Sequence, residues 1–425
     1  MTFDLAEWLN LALRWLHLTA GIAWIGSSFY FIWLDNHLTP PATGEASGEV
    51  WSVHGGGFYH KQKYQVAPSR MPEDLHWFKW EAYFTWLSGF SLLVLIYYVG
   101  AQSFLIDPSK AALSPMAAIA IGLVALLAGW LFYDGLCRSP IRDNNLLIGV
   151  LWFAFLIGAA ILLNDVFNAR AAYLHIGAMI GTVMAGNVFF VIIPNQRKAV
   201  AALVAGQVPD PALGKAGKQR SVHNNYMTLP VLFIMISHHY PMTYGAARPW
   251  LVLAVLGLTG VAVRHVFNLR HRGQRTGRAI AVAAALAFVS VTYVSIEKET
   301  LPRVEAASEP ATPMPAQAVA VPNKSAATDA NVWSASVSGL TYAGDIAPML
   351  AKHCAACHSV HPTNPAFATP PLGIVLDTRE HVSALAPRIR KVAVDAEIMP
   401  LGNSTEMTKA ERERLGAWIA AGNPQ

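Results

Sequence analysis

Cys354-Ala355-Ala356-Cys357-His358 brings three reactive side chains together at a fixed spacing. Two thiols separated by two residues, with an imidazole directly after, read as a c-type haem attachment. The thiols form thioethers to the porphyrin vinyl groups, and His358 is delivered to one face of the iron. The competing reading is a zinc half-site. Structural zinc takes four ligands, usually from paired motifs, and the remaining cysteine, Cys137, has no cysteine near it. One covalent haem c is therefore expected, with His358 as one metal ligand. Met399, in the loop Met399-Pro400-Leu401-Gly402-Asn403, is expected as the other, and Met407 is the alternative. Met/His ligation leaves no open position on the iron and suits electron transfer.

Two helices must position this motif. Thr408 and Glu411 form a capping box, Leu415, Trp418 and Ile419 line one face of the helix that follows, and Gly422 and Pro424 stop it. A second helix is expected from Asp345 to His353, with Pro348 tolerated in its first turn. His353, His361 and His381 read as surface histidines. Residues 338–425 thus resemble a small, single-haem class I cytochrome c.

The remainder of the chain has a different character. Hydrophobic residues make up 54% and charged residues 13%, about half the charge usual in a soluble protein. Eight apolar segments of spanning length are expected, with approximate cores at 8–34, 80–100, 115–137, 145–163, 171–193, 226–242, 247–267 and 278–297. The first has an acidic flank and no small-residue cleavage site, so it does not read as a cleavable signal peptide. The loops after spans 1, 3, 5 and 7 carry Lys61, Lys63, Arg70, Arg138, Arg142, Arg197, Lys198, Lys215, Lys218, Arg220, Arg270, Arg272, Arg275 and Arg278. The alternate loops carry Lys110, Arg170 and Arg248. Positive charge stays cytoplasmic, so both termini and the cytochrome are expected in the periplasm of a bacterial inner-membrane protein. Haem c is attached in that compartment. The net charge of +5 is spread through these loops and does not point to nucleic acid.

The expected fold class is all-α: an eight-helix transmembrane bundle at 1–297, a Pro/Ala-rich linker at 298–337, and the cytochrome at 338–425. Cys137 reads as a small buried hydrophobe.

Ionisable residues inside spans usually face a cofactor, a cavity or each other. Here they are His17, His175, His238, His239, Arg264 and His265. His17 and His175 each follow an aromatic-x pair and precede a stretch of small residues, a pattern consistent with a four-plus-four repeat. Both could ligate a b-type haem, or each could be a histidine hydrogen-bonded across helices. The loop from Trp51 to Glu81 mixes aromatics with His54, His60, Lys61, His76 and a triple glycine, Gly55-Gly56-Gly57. It could cradle a flat anionic heterocycle through backbone N–H groups, or form an amphipathic interfacial hairpin. A second polar patch, His223-Asn224-Asn225-Tyr226, opens span 6 on the same side.

This combination resembles the bacterial membrane-bound, cytochrome c-containing urate oxidase (urate hydroxylase) family. The resemblance implies oxidation of urate to 5-hydroxyisourate in purine catabolism, with electrons leaving through haem c and on to a periplasmic or membrane respiratory acceptor. His76, Glu81, His223, Asn224 and Asn225 are the candidate catalytic residues. Alternative readings are a quinol-oxidising electron-transfer subunit and a membrane anchor for a cytochrome.

Overall fold

Helices in this chain begin where the sequence supplies a cap. Ser114, Asn144, Asn168 and Asp210 each accept a backbone N–H from the first turn that follows, filling donors that an uncapped start would leave open. The computed structural model describes residues 5–42, 44–64, 72, 74–107, 110–300, 340–364, 370–371 and 374–422. The linker expected at 298–337 lies almost wholly outside them. The chain divides into two units, one of residues 1–297 with 401–404, the other of residues 298–400 and 405–425.

The first unit contains helices α1 (Leu5–Asn36), α2 (Trp80–Leu93), α3 (Pro115–Arg138), α4 (Asn145–Val166), α5 (Ala169–Gly186), α6 (Ile193–Val204), α7 (Pro211–Ser237), α8 (Pro249–His271) and α9 (Gly277–Thr300). Five helical stretches are long and apolar enough to cross a membrane: Pro115–Arg138, Asn145–Val166, Ala169–Val204, Pro249–His271 and Gly277–Ser295. Their outward residues include Val124, Leu127, Leu146, Leu162 and Phe288, all exposed. An apolar exterior of this kind is what lipid requires. The segments expected as spans 1, 2 and 6 fold as α1, α2 and α7, which are more polar or shorter.

Two span boundaries differ from expectation for identifiable reasons. Span 5 does not stop near 193: α5 runs through a π turn, Asn187–Ile192, directly into α6, with Pro194 placed in the first turn of α6, where it is tolerated. Span 6 starts fifteen residues before Tyr226, at Pro211, because nothing between 211 and 226 breaks a helix. His223-Asn224-Asn225-Tyr226 is therefore the middle of α7, and Arg220, expected in a loop, is 3% exposed within that helix.

The aromatic loop corrects the all-α expectation. Gly48–His54 (β1) and Gly57–Lys63 (β2) pair antiparallel, Trp51 opposite His60 and Val53 opposite Phe58. Gly55 and Gly56 both have positive φ, 57° and 80°, as a tight hairpin turn demands. Neither glycine has a neighbour where a Cβ would stand. The glycines therefore turn a hairpin.

The second unit is built from helices α10 (Ala347–His353), α11 (Arg379–Ile389) and α12 (Lys409–Ala420). Thr341, Thr378 and Thr408 cap its turns, and the Thr408–Glu411 capping box is complete. Ile346, Leu350, Val382, Leu415 and Trp418 form its core. His353 departs from expectation. Its side chain is closed to solvent, with Nδ1 2.7 Å from Thr405 Oγ1 and Nε2 3.1 Å from Glu411 Oε1. It ties α10 to the cap of α12. His361 and His381 are exposed.

Candidate active site and haem-binding motif

Helix α7 carries neighbouring asparagines into two polar clusters. Asn224 belongs to a closed network. Its Nδ2 donates to the Met184 carbonyl at 2.9 Å, and its Oδ1 accepts from Asn187 Nδ2 at 2.8 Å. Asn187 Oδ1 in turn accepts from Arg220 Nη1 at 3.0 Å. Arg220 Nη2 reaches Asp134 Oδ1 at 2.6 Å, and the guanidinium lies 5.1 Å from the Tyr133 ring centre. Tyr133 Oη is 2.8 Å from His223 Nδ1, and His223 Nε2 is 3.0 Å from Asn145 Oδ1. Cys137 sits beside them, 3.9 Å from the His223 ring, and is buried as expected. Each polar group in this chain of contacts has found a partner.

Asn225 heads a cluster that is open. Its Oδ1 accepts from Arg264 Nε at 3.0 Å and from Asn268 Nδ2 at 2.9 Å. The Arg264 guanidinium carbon also lies over the Phe29 ring, 3.7 Å from its centre, a cation–π contact. All three polar residues are at most 6% exposed. Yet Asn225 Nδ2, Arg264 Nη2 and Asn268 Oδ1 have no hydrogen-bond partner.

Two cavities open among these helices. One of about 640 Å³ has Asn225, Asn268, Lys63, Lys218 and Arg272 in its wall. A smaller one of about 360 Å³ is lined by His76, Trp77, Phe78, Asn224 and Thr228. Of the candidate residues, His76 and Asn224 thus share one cavity and Asn225 lines the other. Half-buried Glu81 and His223 line neither. Sequence reading missed Tyr133, Asp134, Asn187 and Asn268. Asn187, a polar residue within an apolar run, and Asn268, one turn after Arg264, were the signals that could have found the last two.

His17 and His175 occupy similar settings. His17 Nδ1 is 2.9 Å from the Thr85 carbonyl, and the ring rests on Gly89. His175 Nδ1 is 2.8 Å from the Ala171 carbonyl, with the ring against Gly122. Both glycines are needed, since a Cβ at either would come within 2.7 Å of the imidazole. The His175 Nε2, however, is 3.3 Å from Tyr98 Oη and faces the Gly122 backbone. As packed, His175 has the contacts of the hydrogen-bonded alternative.

The residues of the C-x-x-C-H motif do fit a haem c. Cys354 N–H and His358 N–H continue the α10 hydrogen-bond pattern, at 2.8 Å to the Leu350 and Cys354 carbonyls. Both thiols are free of disulfide. His358 Nδ1 lies 3.1 Å from the Ile374 carbonyl, which fixes the tautomer and leaves Nε2 for iron. Burial holds the His358 imidazole below its ordinary pKa, favouring the neutral ligating form. Met399 is half-buried at the edge of the core, whereas Met407 is 3% exposed inside it.

No curated protein and no solved structure shows a significant match to this chain. A family model, Urate oxidase N-terminal, matches residues 4–295. That match takes in the whole helical unit with both polar clusters, and the chain belongs to the urate oxidase N-terminal family.

Proposed function

We propose that this protein is a membrane-bound, cytochrome-linked urate oxidase. The first unit oxidises urate to 5-hydroxyisourate in purine catabolism, and the two electrons leave through a haem c on the second. Supporting the reading is the joining, in one chain, of a urate oxidase N-terminal region over 4–295 to a Cys354–His358 haem motif. In balance, urate and water give 5-hydroxyisourate, two protons and two electrons. Haem c, when bound by Cys354, Cys357, His358 and Met399, supplies a one-electron acceptor. The chain's own work is to bind and orient the planar anion and to hold water beside it. His76, in the wall of the smaller cavity, is the side chain there best suited to take up a proton.

Eight spans, with α1, α2 and α7 joining the five apolar helices, would put both termini in the periplasm, and a respiratory carrier would reoxidise the haem. The test is anaerobic mixing of purified protein with urate while the haem c absorption bands are followed. Urate should reduce the haem. Full reduction by dithionite with none by urate would sink the reading. Cys354→Ala with Cys357→Ala should abolish covalent haem staining. A periplasm-active reporter should work after Gln425 and fail when placed in the 200–215 region.

A further inference from the structure

We infer that Arg264, Asn225 and Asn268 are the substrate-recognition set, holding the urate monoanion by one edge. This rests on the urate reading above and adds the residues that bind. The orientation of the three groups is fixed by chemistry. A guanidinium has no acceptor, so Asn225 must turn Oδ1 toward Arg264 Nε, 3.0 Å away. That same oxygen takes the Asn268 amide N–H at 2.9 Å. Flipping either amide would oppose donor to donor or acceptor to acceptor. The cluster must therefore present two donors, Arg264 Nη2 and Asn225 Nδ2, and one acceptor, Asn268 Oδ1, and these are the three atoms left without partners.

A buried polar atom without a partner is costly, and three in one cluster require an explanation. Packing does not supply it, because the neighbouring Asn224 network in the same helix is saturated. A ligand does. Urate alternates carbonyl oxygens with ring N–H groups along its edges and carries a negative charge near neutral pH. Two donors, one cationic, meet adjacent oxygens, and the amide oxygen meets a ring N–H. Both asparagines stand in the wall of the cavity of about 640 Å³, which also carries Lys63, Lys218 and Arg272, while Arg264 stands behind them against Asn225. Its acid, Asp35, is paired with Lys63 at 2.7 Å. The lining therefore favours an anion, and the volume suits a small heterocycle.

The experiment uses the full-length haem-loaded protein and equilibrium binding of urate, with hypoxanthine as the uncharged comparison. Arg264→Lys keeps the charge but loses the fork, and Asn268→Leu keeps the approximate size but offers the ring N–H no acceptor. Each should weaken urate binding by about tenfold or more. Thermal unfolding of Asn268→Leu and the dithionite-reduced haem spectra of both variants should not change, and hypoxanthine should bind poorly to every form. If wild type binds urate and both variants bind it within about twofold, the assignment is wrong, the orphaned atoms hold at most trapped water, and the urate reading stands. If wild type neither binds urate nor is reduced by it, the urate reading fails and takes this ligand with it. Should Arg264→Lys not accumulate as folded protein, Asn268→Leu alone decides.

Discussion

Asn224 and Asn225 are consecutive residues of one helix, both buried and chemically identical, yet they head clusters in opposite states. Around Asn224, donors and acceptors close on each other from Met184 through Asn187 to Arg220 and Asp134. Around Asn225, three polar atoms end on nothing. Burial of polar groups in a helical bundle therefore does not by itself mark a functional site, since it also marks structural glue. What separates the two is satisfaction. A closed network has its stabilisation already, while an open one has left part of it for something else to complete.

The sharpest way to break this contrast is Arg220→Met. Removing the cation strands Asp134 and the Asn187 oxygen, and about 3 kcal/mol of stability should go, read as a lower melting temperature in detergent. Arg138 also contacts Asp134, at 2.6 Å, which keeps the loss at the lower end of what a broken buried pair costs. An unchanged melting temperature would mean that the network is not structural. Tyr133→Phe should cost less, about 1–2 kcal/mol, because the hydroxyl serves His223 and Asn187 but carries no charge.

Sequence alone reveals the parts of this molecule whose physics is local. The C-x-x-C-H motif and the Thr408–Glu411 box are short-range patterns, and both the box and its helix stand where the sequence puts them. The urate-oxidase family and the helical character were also readable. Arg220 was not, because a helix starting at Pro211 carries a basic residue out of an apparent loop and into the bundle. His353 was hidden because its partners, Thr405 and Glu411, are more than fifty residues away. Asn224 and Asn225 looked like one patch, since nothing local says that a step of about 100° around the helix sends them to different neighbours.

The second unit offers a smaller sharpening of the rule. Glu411 is fully engaged. The Thr408 backbone N–H, with help from His353, the Thr408 hydroxyl and Lys352, holds its carboxyl well below the usual carboxylate range. A depressed acid stabilises the fold above its unfolded pKa and loses that contribution as pH falls toward the folded value. Hydrogen-exchange protection of α10 and α12, after division by the intrinsic exchange rate at each pH, should therefore fall as pH drops below about 4.3, and Glu411→Gln should remove that dependence. At neutral pH Thr408→Ala should cost about 1 kcal/mol. The smallest effect on stability belongs to the open cluster. Asn268→Leu gives up one hydrogen bond and one orphaned acceptor together, so its melting should stay within about 0.5 kcal/mol of wild type while urate binding is lost.

The π turn at Asn187–Ile192 has a consequence for how this protein can change over time. A π turn accommodates one additional residue without breaking the helix, so everything after it is read one position out of phase with everything before. Asn187, at its start, is fully buried in the Arg220 network, while Phe189 and Phe190 are turned outward. Deleting one residue within 188–192 would restore a plain α-helix and rotate the two ends by about 100° relative to each other. Either Asn187 would leave the network or Arg197 and Lys198 would swing to another face. Substitutions are open to this stretch of the chain, but a change in its length is not.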